Sequence, residues 1–287
     1  MTASVLVLGD ILVDELRTPA GSVDVAGGSA LNVAVGLAVL EVPAVLAGMV
    51  GEDESGGMLR RHAADHGVTL LATTAPLGTG RAISDRTAGE PQYSFSEASR
   101  SRTLVPTGEL RQAAARADLV VVSGFPFDVS VEVAMLRALV VDGARLAIDA
   151  NPRPGLLRDR AAFAAGLLDL SAGAALVKLG ADDAELIFAT GLAAATARVL
   201  DAGAQAVLET TGPDGAAFVR RGERVAVPIA RADGEIVDTM GAGDAVFATV
   251  VAALAAGVLD PVPALTRAMD VAAATIRSPG GLLRLPA

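Results

Sequence analysis

The chain has 287 residues, a net charge of −10 and no cysteine, with 52% hydrophobic and 3% aromatic side chains. Disulfides and thiolate metal sites are excluded, and broad binding to nucleic acid or anionic membranes is disfavoured because it needs a basic surface. The length suits one large α/β domain or two smaller ones, and hydrophobicity at this level argues against disorder.

The start, Met-Thr-Ala-Ser-Val, lacks the basic opening and long apolar run of a signal peptide. Val5–Leu8 is an apolar run that reads as a buried strand. The longest candidate for a membrane span, residues 30–50, contains Asn32, Glu41 and Pro43. Proline would break a spanning helix, so the stretch reads as a helix to about Leu40, a turn, and a strand over Ala44–Val50. A second apolar run, residues 245–259, is shorter than the roughly 20 residues that cross a bilayer. These features predict a soluble, cytoplasmic protein.

Further buried strands are predicted at Leu119–Val122, Leu146–Ile148, Ala174–Val177 and Ala206–Leu208. Helical patterns lie between the runs, over Asp53–His66, Val129–Val141, Ala181–Ala189 and Ala193–Ala202. This alternation predicts an α/β fold with a doubly wound, mostly parallel sheet flanked by helices, and ligands beyond the carboxyl ends of its strands. Two stretches break the alternation. Leu12–Val25 carries Pro19 and Gly21, and Thr79–Phe95 suits short, half-exposed strands around Gly89-Glu90-Pro91. Together they suggest a small β-sheet lid over residues 11–26 and 73–103, with residues 1–10, 27–72 and 104–287 as the core. Ala216–Val219 and Arg224–Val227 read as a hairpin.

The strongest chemical motif is Asp-Thr-Met-Gly-Ala-Gly-Asp, Asp238 to Asp244, leading into an apolar helix. Gly241, Ala242 and Gly243 allow a close ligand approach, and amides at a helix start suit an anion. Asp244 in the first turn could accept a proton from an attacking hydroxyl, or simply stabilise the helix start. Gly27 and Gly28 open the next motif, with Asn32 one turn on offering donors and acceptors to a polyol; a turn plus helix cap is the plainer reading. Asp10 and Asp14, after the first strand, could each hold sugar hydroxyls or be solvated loop acids. Asp149-Ala-Asn151-Pro-Arg153 stands at another strand end, where Arg153 could clamp a phosphoryl group or the loop could be a simple exit held by turns. Thr210–Gly215 suits a nucleotide phosphate or ribose, or a turn into the hairpin.

There is no P-loop, no dinucleotide fingerprint, no His-Glu-x-x-His and no Gly-x-Ser-x-Gly elbow. His62 and His66 fall at helical spacing but read as surface residues, since no third ligand type other than acids lies near them. Tyr93 and Phe95 could stack on a sugar or pack the lid's own face.

In this order the motifs resemble the ribokinase-like (phosphofructokinase B type) carbohydrate kinases over nearly the whole chain. The resemblance rests on Gly9 with Asp14, Gly27-Gly28 with Asn32, Gly51–Gly56, Asp149-x-Asn151-x-Arg153, Lys178, Thr211-Gly212-x-x-Gly215 and the Asp238–Asp244 motif. It implies ATP-dependent phosphorylation of a sugar or nucleoside hydroxyl, with Asp244 as base and the amides of Gly241 to Asp244 as an anion hole. Asp10, Asp14, Gly27, Gly28, Asn32, Asn151 and Arg153 would face the sugar. Lys178, Thr211, Gly212 and Gly215 would face ATP. It also implies magnesium, held largely through water, and a monovalent cation such as potassium near Asp238 and the Ser278–Gly281 loop. The family often shows Lys-x-Asn-x-x-Glu; here Gly180 replaces the Asn and Asp183 takes the Glu position as the magnesium-side acid. A homodimer through the lid is a further expectation.

The few aromatics near the lid, Tyr93 and Phe95, favour a sugar over a nucleoside, and a fructose- or ribose-like sugar is what the resemblance implies. A nucleoside kinase of the same fold is the alternative. A sugar-binding regulator without catalysis would not need Asp244, and a nicotinamide oxidoreductase would need the absent fingerprint.

Overall fold

The computed structural model describes residues 4–85, 92–140, 143–231, 234–278 and 280–286. The expected turn at Gly89-Glu90-Pro91 lies outside these residues. In chain order the elements are β1 (Val5–Gly9), β2 (Leu12–Thr18), β3 (Gly21–Gly27), α1 (Ser29–Val39), β4 (Ala44–Met49), α2 (Glu54–Asp65), β5 (Thr69–Thr73), β6 (Gly80–Asp85) and β7 (Gln92–Phe95). There follow α3 (Glu97–Arg100), α4 (Gly108–Arg116), β8 (Leu119–Ser123), α5 (Ser130–Leu139), β9 (Arg145–Asp149), α6 (Arg160–Ser171), β10 (Leu176–Gly180), α7 (Ala181–Phe188) and α8 (Leu192–Asp201). The last are β11 (Val207–Thr210), a 3₁₀ turn at Gly212–Asp214, β12 (Ala216–Arg220), β13 (Glu223–Val227), α9 (Ala242–Ala255) and α10 (Pro261–Thr275).

The larger sheet runs β13-β12-β11-β10-β9-β8-β1-β4-β5. From β11 to β5 every neighbouring pair is parallel, and the hairpin β12–β13 extends one edge antiparallel. Alternate strand residues feed two cores, as the period of a strand requires. Val5 and Val7 join the face packed by α1, α2, α9 and α10, whereas Leu6 and Leu8 join the face packed by α4 to α8. Burial on both faces explains why these strands read as unbroken apolar runs. The predicted doubly wound α/β sheet is therefore borne out.

The chain enters at β1, steps to β4 on one side and later to β8 on the other. This reversal opens a crevice beyond the carboxyl end of β1, where open α/β sheets bind ligands. The smaller sheet, ordered β3-β2-β6-β7, begins at that point, because β2 starts three residues after β1 ends. Most side chains of β2 and β6 are half-buried, and the sheet carries the ion pairs of Arg81 with Glu15 and Asp24.

Three strands run further than their apolar residues suggest. β9 continues through Asp149, β10 through Lys178 to Gly180, and β11 through Glu209 to Thr210. The charges are buried but matched. Lys178 pairs with Asp149 at 2.8 Å, and Glu209 accepts from Thr196 at 2.7 Å and from Arg224 at 3.1 Å. A paired charge does not have to end a buried strand.

No helix among the described residues is long and apolar enough to cross a membrane. The His62 and His66 rings lie 4.5 Å apart between centroids, tilted by 44°, and no cluster of three or more metal-ligating side chains occurs among the described residues.

Candidate active site

The site is built around the mouth of α9. Gly241 caps the helix in the left-handed region, at φ 74°. A methyl group there would run into the Gly281 carbonyl, so glycine is required on both conformational and steric grounds. The Ala245 amide is the first to close a helical bond, onto the Gly241 carbonyl at 2.8 Å. The amides of Gly243 and Asp244 precede it and belong to the first-turn donors that a helix leaves without internal partners. The Ala242 amide departs from the anion-hole expectation, since it donates to the Thr239 carbonyl at 3.3 Å.

Asp244 is buried, and Asn32 Nδ2 donates to its Oδ2 at 2.8 Å. Burial raises its pKa; hydrogen bonding from Asn32 and the charges of Lys178 and Arg153 oppose that rise, as does Ser29. Asn151, at φ 33°, donates to Ser29 Oγ. Thus α1 and the loop after β9 converge on one carboxylate. Ser29 sits inside the Gly27–Asn32 motif but offered no signal of its own in the sequence.

Gly28 caps α1 at φ 98°, and the Asp10 carbonyl accepts from the amides of Ala30 at 3.2 Å and Leu31 at 3.4 Å. Gly27 packs directly on the Asp14 carboxylate, with no room for a side chain between them. Burial pushes Asp14 up to about 7, and the like charges of Asp244 and Asp238 add to this while Arg153 opposes it. Asp14 and Asp244 therefore feel each other's charge.

Asp10 is placed differently from its sister. Arg102 Nη1 contacts its Oδ2 at 2.6 Å and donates to the Gly124 carbonyl at 3.1 Å. The carboxylate expected to meet sugar hydroxyls is thus held by an arginine from beyond the small sheet, which no spacing in the sequence links to it. A cleft at this end of β1 is lined by Asp10, Leu12, Gly80, Ser99, Arg102 and Glu132. Arg153 is exposed, and its charge reaches Asp10, Asp14 and Asp244. Phe95 is buried, and its ring fills the space beside Gly155; Tyr93 is 61% exposed.

On the other flank Lys178 Nζ lies 3.5 Å from where a β-carbon on Gly243 would stand. Burial alone would lower its ammonium, but Asp149, Asp183 and Asp244 more than offset that. Asp183 Oδ2 accepts from the Gly180 amide at 2.7 Å, capping its own helix α7. The turn beyond β11 closes through Thr211, whose amide and hydroxyl both donate to the Gly215 carbonyl, at 3.0 and 3.1 Å. Gly212 and Gly215 take positive φ there, 57° and 100°. Asp238 accepts from the Met240 amide at 3.0 Å and from Gly280 at 3.4 Å, tying the motif to the late loop.

An anion-ready helix mouth, an ammonium beside it and a buried carboxylate tied to an amide side chain suit transfer of a phosphoryl group to a hydroxyl. Comparison with known proteins agrees. Residues 7–287 match the pfkB family carbohydrate kinases. The chain belongs to this family. A curated fructokinase of Salmonella typhimurium is 31% identical over the whole chain and 97% of its own length. The structure of a fructokinase with bound ATP from Xylella fastidiosa superposes with a TM-score of 0.83, at 23% identity, over 98% of this chain and 94% of that one. An adenosine kinase from Sinorhizobium meliloti superposes at 0.81 with 20% identity, over 98% of this chain and 96% of that one, so the fold is shared by kinases of both acceptor types. The ATP-dependent carbohydrate kinase expected from the motifs is thus borne out at the level of family and activity.

Proposed function

We propose that this kinase phosphorylates a fructose- or ribose-like sugar at a hydroxyl presented to Asp244. The observation that carries the reading is the contact of Asp244 with Asn32, beside the α9 mouth and Lys178. Asp14 and Asn32 hold the sugar, together with Gly27, Gly28, Asn151 and Arg153. The ionised Asp244 accepts the proton as the sugar oxygen bonds to the γ-phosphorus and the bond from phosphorus to the ADP oxygen breaks. Donors at Gly243, Asp244 and Lys178 receive the developing charge, since phosphoryl transfer depends mainly on positioning and neutralisation. Thr211, Gly212 and Gly215 serve the nucleotide side.

A divalent cation, magnesium in this reading, neutralises the ATP phosphates when bound. The donor set fits an ion held mostly by phosphates and water, because Asp183 already caps α7 and no cage of three acids occurs among the described residues. Potassium near Asp238 and the loop at residues 278–281 belongs to the same reading; residue 279 lies outside the described residues. So do the lid role of the small sheet, pairing of two copies through it, and a cytoplasmic location.

A sugar is favoured over a nucleoside by Phe95, which packs on Gly155 instead of offering a free ring, and by the named activity of the Salmonella relative. ADP release across a panel of sugars and nucleosides is the test. Turnover with ketohexose or pentose and none with nucleosides is expected, and the reverse ranking would replace this reading.

A further inference from the structure

Lys178 is the one lysine of the chain; the other basic side chains among its 23 Lys and Arg are all arginine. It is 5% exposed and lies in the middle of the sheet, on β10. Three residues form a cross-strand row in register: Ser123 on β8, Asp149 on β9 and Lys178 on β10. Ser123 Oγ donates to Asp149 Oδ2 at 3.3 Å, and Lys178 Nζ donates to Asp149 Oδ1 at 2.8 Å. Both carboxylate oxygens are thereby engaged, and the residue is wholly buried. Beyond this pair, Lys178 Cε and Nζ stand 3.6 and 3.5 Å from the position a Gly243 β-carbon would take. Arginine is longer, and its head is a planar fork. In this place it would enter the helix mouth that the phosphoryl group must occupy.

We infer that Asp149 is a positioning residue that aims the Lys178 ammonium past Gly243 at the transferring phosphoryl group, and that a compact ammonium is required there. The inference rests on the kinase reading and deepens it. Ser123 fixes the carboxylate, the carboxylate fixes the ammonium, and the glycine leaves the path open. A purely structural ion pair would have no need of lysine in a chain that otherwise uses arginine.

The test compares Lys178→Arg, Lys178→Met, Asp149→Asn, Asp149→Glu and the double variant Asp149→Asn/Lys178→Met in the full chain. It reads kcat, KM for ATP, KM for sugar and the melting transition. Lys178→Arg and Lys178→Met are expected to lose about 10²-fold or more in kcat, the scale of a lost transition-state donor, with sugar KM within about threefold. Asp149→Asn leaves a buried ammonium unpaired and is expected to melt early. The double variant removes both charges, so it keeps the comparison sound, and its kcat should match that of Lys178→Met alone. Asp149→Glu should recover part of the loss of Asp149→Asn. A Lys178→Arg enzyme within threefold of the wild-type kcat overturns the inference, as does a double variant whose loss is the product of the two single losses. Failure of the wild-type chain to turn over any substrate would instead strike the kinase reading itself.

Discussion

Asn32 and Asp244 meet through one hydrogen bond of 2.8 Å that joins the first turn of α1 to the first turn of α9. The bond orients the carboxylate and holds it toward the charged form that a general base needs.

Asn32→Asp puts a second acid where the amide stands. Two carboxylates in contact cannot both ionise easily, so the pKa of the base rises. The expected result is a loss of kcat at pH 7 that is partly regained at pH 9. A uniform loss at both pH values would count against the orientation assigned to this bond. Asp244→Asn, which cannot regain a base at any pH, should lose at least about 10²-fold in turnover while calorimetry still shows ATP binding.

Gly241 and Gly243 should respond differently to alanine. At Gly241 the methyl group meets the Gly281 carbonyl and the backbone is left-handed, so the variant should melt several degrees lower and lose ATP affinity. At Gly243 the nearest atoms are 3.5 Å away and alanine is the better helix former, so the melting point should hold or rise. Its kcat/KM for ATP should still fall about tenfold, because the methyl sits in the helix mouth. Equal melting points for the two variants would contradict this account.

The acid limb of kcat/KM should sit near pH 7, well above the ordinary carboxylate range. Asp14 is pushed up to about 7 by burial and by the Asp244 charge. The observed midpoint belongs to the pair. Removing the like charge in Asp244→Asn should move the midpoint for sugar binding, read by calorimetry, to lower pH. The same shift sets the sign for stability. A carboxyl with a raised native pKa keeps a proton that the unfolded chain has released, so the ligand-free protein loses stability as pH climbs from about 4 through about 7. Melting curves at pH 5.5 and 8 check the direction.

Arg102→Met strands the half-buried Asp10 carboxylate and should cost about 3 kcal/mol in urea unfolding. Adding Asp10→Asn should restore most of that loss. Additive losses in the double variant would show that the pair is not the unit.

Much of the architecture was legible because parallel strands covered on both sides must be apolar throughout. The sequence reading stops where charge begins, so it ends β10 at Val177 and β9 at Ile148, one residue short of the Asp149–Lys178 pair. Partners on neighbouring strands are far apart in the chain, and single-strand patterns carry no record of them. For the same reason Arg102 was invisible as the partner of Asp10, 92 residues away. β5 opens on a threonine and is partly exposed at the sheet edge, which hid it among its polar neighbours. The helix-mouth motif could be read directly, since its glycines, its acid and the helix it opens are contiguous. The occupied Ala242 amide could not, because it depends on how the turn at Thr239 closes.

The two groups that meet at the base are 212 residues apart. No early portion of a growing or refolding chain can hold a working centre, however well its strands have formed. Catalytic competence should therefore return in the slowest phase of renaturation, after secondary structure has recovered, and a nascent chain stays inert towards ATP until α9 has docked.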